Sequence, residues 1–146
     1  MIRQILMLWV MGVLAGLATH ATADTPRSYL EVSPRDTSDL NSLFNTLEES
    51  LEYRIENTDP VIVILHGEEA ASFTLNDYPR NRSLLDRAAL LDAYNLIDVR
   101  MCETWMQENG VENSDLPAFI ETVPYAPEEI RRLEADGYRP YREIKI

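Results

Sequence analysis

The sequence predicts an α/β protein: a three-layer α/β/α arrangement around a mainly parallel five-stranded sheet. Three observations carry this expectation. Strand-like and helix-like runs alternate along the chain in the order β-α-β-α-β-α-β-α-β. Such alternation builds parallel strands joined by right-handed helical crossovers. The run Val61-Ile62-Val63-Ile64-Leu65 is unbroken and rich in β-branched residues, which suits a central strand covered on both faces. The length, 146 residues, is enough for the core of one domain and short for two.

The elements follow in order. Residues 28–32 form a short alternating run and the first expected strand. In residues 37–57, Leu40, Leu43, Phe44, Leu47, Leu51 and Ile55 share one helical face. Thr37 or Ser38 can cap this helix, Asp39 suits its first turn, and Asp59-Pro60 ends it. After the strand Val61–Leu65 the chain turns at His66-Gly67. Residues 68–81 read as a short helical turn and a loop. Ser83-Leu84-Leu85-Asp86 matches a capping box, and Leu84, Leu85, Ala88, Leu91 and Tyr94 continue as a helix that stops at Asn95.

Residues 97–101 alternate apolar and polar, the pattern of a strand with one partly polar face. Residues 103–109 suit a short helix ended by Gly110 at positive φ. Ser114-Asp115-Leu116-Pro117 is a turn, and residues 119–123 form a further strand. Pro127 at the first helical position, Glu128 and Glu129 in the first turn, and Gly137 after the last turn bracket a last helix. Residues 138–146 alternate again and are expected to close the sheet.

The first segment differs in kind. Arg3 precedes the apolar run ILMLWVMGVLAGLA, and Ala21-Thr22-Ala23 offers small residues to a peptidase. Residues 1–23 therefore read as a signal peptide and residues 24–146 as one folded domain, periplasmic or secreted, with no membrane contact after cleavage. An uncleaved membrane anchor is the alternative reading of this segment. The chain has 13 basic and 25 acidic residues, a formal net charge of −12. Removing the leader takes away one basic residue and no acid. So acidic a surface repels nucleic acid and anionic lipid, and binding to either is excluded. Lys145 is the only lysine. It lies next to the terminus, which argues against Schiff-base chemistry.

An exported chain normally uses cysteines in pairs, yet Cys102 stands alone. It is inert and buried, paired with another chain, or reactive. Its place at the carboxyl end of a strand and the start of a helix favours an anionic sulfur, because unpaired N–H groups converge there. Glu103 opposes this, and Arg100 points away from the face that Met101 takes. His66 also ends a strand, on the same rim of the sheet, where α/β proteins build their sites. It could share a proton with the thiol or simply bond to backbone.

Other chemistries are poorly represented. Cys102, His66 and Glu68 lack metal-ligand spacing, and no cofactor is called for. There is no Gly-x-Ser-x-Gly elbow and no glycine-rich phosphate loop. Trp105, Tyr125, Tyr138 and Tyr141 are suited to packing or subunit contact, and Glu48, Glu49 and Glu52 to a solvated helix face.

Three stretches resemble one family. "VIVILHGEEA" resembles a central strand ending in a His-Gly turn. "NLIDVRMCETWMQENGV" resembles a strand-Cys-helix-Gly segment. "DLPAFIETVPYAPEEIRRLEADGYRPY" resembles a tail in which a Val-Pro turn leads to a helix and then Gly-Tyr. In this order they resemble the DsrE/DsrF-like family, which includes the TusD-type sulfur-relay subunits, and more closely its exported single-domain members. The resemblance implies a symmetric homo-oligomer, trimeric or hexameric. It also implies that Cys102 carries sulfane sulfur as a persulfide between a donor and an acceptor, each a protein or a small sulfur compound. His66 is then a supporting group. The chain departs from the cytoplasmic relay members at Glu108-Asn109-Gly110, where an arginine-glycine pair is common. The second reading is a non-enzymatic oligomeric module that binds a small ligand or a protein and keeps Cys102 for packing. A covalent dimer through Cys102 is the third.

Overall fold

The computed structural model describes residues 27–32, 38–53 and 59–141. The expected signal peptide, the helix cap at Thr37 and the closing residues 142–146 lie outside the described residues. The elements are β1 (Ser28–Glu31), α1 (Ser38–Tyr53), β2 (Val61–Leu65), a 3₁₀ segment (Glu68–Phe73), α2 (Tyr78–Ala93), β3 (Ile97–Cys102), α3 (Glu103–Asn109), a 3₁₀ turn (Asn113–Asp115), β4 (Ile120–Val123), α4 (Ala126–Ala135) and β5 (Arg139–Pro140).

The five strands form one sheet in the order β4-β3-β2-β1-β5, and every neighbouring pair is parallel. From β1 to β4 each strand is added on the same side of its predecessor. Right-handed crossovers then put the intervening helices on one face. The step from β4 to β5 runs back across the whole sheet, so the same handedness puts α4 on the opposite face. The packing agrees. Leu40, Leu43 and Phe44 of α1, Ala88 and Leu91 of α2, and Met106 of α3 share a core with Val63, Leu65, Ile97, Val99 and Met101. Ala126 and Leu133 of α4 instead pack with Tyr29, Ile62, Ile64 and Cys102.

The strand sequences explain this division. In β2 four of five residues are buried, because both of its faces are covered. In β3 Ile97, Val99 and Met101 face the larger core, while Asp98 and Arg100 on the other face remain partly exposed. A helix about 10–12 Å in diameter spans only two or three strand spacings of about 4.8 Å. A single α4 therefore leaves part of its face uncovered, and polar residues fill that part.

Among the described residues two elements differ from the sequence reading by more than a residue at a boundary. Helix α2 begins at Tyr78, not at the Ser83 capping box, with Pro79 in its first turn and a non-helical residue, Asn81 (φ −115°, ψ 22°), breaking its course. Proline is tolerated where the N–H has no helical partner, so Pro79 opens the helix instead of preventing it. Strand β5 has two residues where a longer run was expected. Pro140 lies opposite Tyr29 and has no N–H to donate, which suits an edge position and weakens the ladder.

Candidate functional site

Cys102 is the last residue of β3 and takes the N-cap position of α3, with extended backbone (φ −73°, ψ 119°). The helix it opens ends at Gly110 in the left-handed region (φ 65°), a conformation that glycine adopts without steric cost. The residue is buried, 3% exposed. Its Sγ accepts a hydrogen bond from the backbone N–H of Ala126 at 3.4 Å. Ala126 is the first residue of α4, so this N–H is one of the donors a helix start leaves without an internal partner. The donor to the sulfur thus comes from a helix 24 residues further on. Thr104 Oγ1 donates to the carbonyl of Pro124 at 3.0 Å, tying the start of α3 to the turn that leads into α4. Glu103 accepts a hydrogen bond from Thr122 Oγ1 at 2.8 Å, which directs its carboxylate toward β4.

His66 follows β2. The register pairs Leu65 with Met101, so His66 stands one step beyond the last pair, level with Cys102. The two side chains nevertheless bond in opposite directions across the sheet. The imidazole Nε2–H of His66 donates to Glu31 Oε1 at 2.8 Å, on β1, while the thiol takes its donor from the α4 side. No hydrogen bond joins His66 to Cys102 among the described residues.

The His66-Gly67 turn is held from within. Glu69 is 5% exposed, and its Oε1 accepts the backbone N–H groups of both His66 (3.0 Å) and Gly67 (2.9 Å). Its Oε2 is buried and has no partner among the described residues. Sequence reading did not single out Glu31 or Glu69. Their partners are set by strand order and turn geometry, which no local pattern encodes.

Arg100 lies two residues before Cys102 and on the same face of β3. Its guanidinium donates to both carboxylate oxygens of Asp98, at 3.2 and 2.5 Å, and to Glu129 on α4. Glu129 in turn pairs with Arg132 at 2.6 Å. Burial works against the charge on Arg100. The hydrogen bonds and charges of Asp98 and Glu129 outweigh it, and the guanidinium is held even more firmly protonated than usual. The hydrogen bond from Arg132, reinforced by Arg100, holds the Glu129 carboxyl below its ordinary value against the opposing effect of burial. Arg100 therefore shares the face of the thiol but spends its charge on two carboxylates.

Among the described residues no group of three or more His, Cys, Asp or Glu side chains is placed to hold a metal ion. No described helix is long and apolar enough to cross a membrane. A disulfide to a second chain needs an accessible sulfur, and the depth of Cys102 weighs against it.

No family model matches this chain, and no curated protein matches it. Among solved structures the chain is similar to a protein of unknown function, MTH1491 from Methanobacterium thermoautotrophicum, with a TM-score of 0.60 and 16% identity. The likeness covers 81% of this chain and 99% of that one. At this identity it establishes the architecture: the chain has an α/β fold of parallel strands between helical layers.

Proposed function

We propose that this chain is an exported, DsrE/DsrF-like sulfur-handling protein that carries sulfane sulfur on Cys102. The observation that carries the reading is the N–H of Ala126 directed at Sγ. A helix-start amide stabilises negative charge on the atom it faces, and a thiolate is the form that attacks sulfur. The three quoted stretches that resemble the family support it independently, since they include the strand that Cys102 ends.

The chemistry is a balanced exchange. The Cys102 thiolate attacks the outer sulfur of a donor persulfide, R–S–SH. A new S–S bond forms on Cys102, the donor's S–S bond breaks, and the donor leaves as R–S⁻ with the electron pair. An acceptor thiolate reverses the step. No net oxidant or reductant is consumed. Exposed Leu90 in the last turn of α2 and Tyr94 at its C-cap offer apolar surface for the trimeric or hexameric assembly that the resemblance implies.

The burial of Cys102 favours a second reading, in which the thiol is a packing residue and the chain is an oligomeric binding module. Intact-mass measurement of the mature protein after exposure to polysulfide separates the two. The sulfur reading expects a one-sulfur increment that reduction removes and that Cys102→Ser lacks. An unchanged mass together with a thiol inert to alkylation in the folded protein selects the binding module.

A further inference from the structure

We infer that the first turns of α4 form a cover over Cys102, latched shut by the Arg100–Glu129 ion pair. The inference deepens the sulfur-carrier reading and rests on it for its purpose, since a carrier thiol has to be reached.

Strand β3 and helix α4 are joined twice, side by side. Ala126 donates its N–H to Cys102 Sγ, and Glu129, three residues on, accepts from Arg100, two residues before the cysteine. Both latch side chains are largely withdrawn from solvent, 16% exposed for Arg100 and 10% for Glu129. An ion pair of that depth helps hold its elements in register, because separating it takes from each charge one of its two partners, Arg100 keeping Asp98 and Glu129 keeping Arg132. The apolar hold of α4 is small by comparison. Leu133 and Ala126 are its buried contributions, with Ile130 partly buried beside them. Segments with few buried apolar contacts open before the rest of a domain. Lifting α4 uncovers the thiol while the larger core on the other face stays intact.

The test uses iodoacetamide on the whole mature protein, read as the rate of Cys102 labelling in excess of that set by global unfolding. Glu129→Ala is expected to raise this rate about tenfold, the local opening having become easier. Replacing the network with uncharged side chains, Arg100→Met and Glu129→Leu together with Asp98→Asn so that no carboxylate loses its partner, restores a hold between β3 and α4 and returns labelling toward the parent rate. A folded Glu129→Ala protein labelled at the parent rate overturns the latch. Should that variant fail to fold, amide hydrogen exchange on the parent decides. Amides of α4 that exchange well before those of β3 support a separately opening cover, and exchange of the two as one unit overturns it. Alkylation needs no sulfur donor. A protein that opens as described yet never gains sulfur refutes the carrier role and leaves the latch standing.

Discussion

Among the described residues, seventeen buried ones from α1, α2, α3, the first 3₁₀ segment, the strands and their flanking turns form a continuous core on one face of the sheet; on the other, six gather where a single helix meets the strands. The buried core of the first face is apolar. The second combines Tyr29, Ile62, Ile64 and Cys102 with the Asp98–Arg100–Glu129 network. The strands serve both faces, so the difference comes from the connections: three crossovers build one layer and one builds the other. The chain keeps its stability on the crowded face and its chemical groups on the sparse one. A rigid sheet can then carry a region that opens locally.

The comparison breaks most readily at Phe44, which is fully buried in α1 and lies beneath the guanidinium of Arg87, 5.5 Å from its ring centre. Phe44→Ala should cost about 3–5 kcal/mol in urea unfolding. Leu133→Ala, on the sparse face, should cost about 2–3 kcal/mol, near the lower end for such truncations, because the thin layer relaxes into the gap. The two variants should also differ in kind. Leu133→Ala should speed Cys102 labelling beyond its effect on global stability, and Phe44→Ala should not. Equal costs and equal labelling would erase the distinction between the faces.

The acid limb of stability sharpens it further. The folded Glu129 carboxyl lies below its unfolded value of 4.5, so its contribution is present above pH 4.5 and is lost as pH falls through the folded value. A stability–pH profile of Glu129→Gln should lose part of its fall at acid pH. An unaltered profile would mean that Glu129 does not anchor α4.

The smallest effect lies at the alkaline end. Burial, then the hydrogen bond to Glu134 at 2.8 Å, pushes the Tyr29 phenol from 10.0 up to about 12. Its contribution is present below pH 10 and is lost as pH rises through about 12. Tyr29→Phe should cost about 0.5–1.5 kcal/mol at neutral pH and flatten the alkaline decline. No cost and no change in shape would place the Tyr29–Glu134 bond outside the stability of α4.

The crowded face was legible in the sequence because its signals are local. The period of α1, the unbroken β2 and the alternation of β3 each state which residues turn inward. The position of Cys102 at a strand end and helix start was equally readable. The sparse face was not. That Ala126 meets the sulfur, that Arg100 reaches Glu129 and that His66 turns to Glu31 all depend on α4 returning over the opposite face and on β1 lying beyond β2. Strand order is a property of the whole chain, and residue spacing does not record it. The start of α2 was misread for a different reason: Pro79 is both a helix breaker and a first-turn residue, and only the surrounding backbone decides which role it plays.

Glu69 has a consequence beyond fixing a turn. Two adjacent amide hydrogens at the carboxyl end of a parallel strand are the kind of seat in which α/β proteins receive phosphate or sulfate. Here the chain supplies its own anion, and the seat is taken before any solute arrives. A negatively charged visitor to this rim has to bind elsewhere along it or evict a carboxylate.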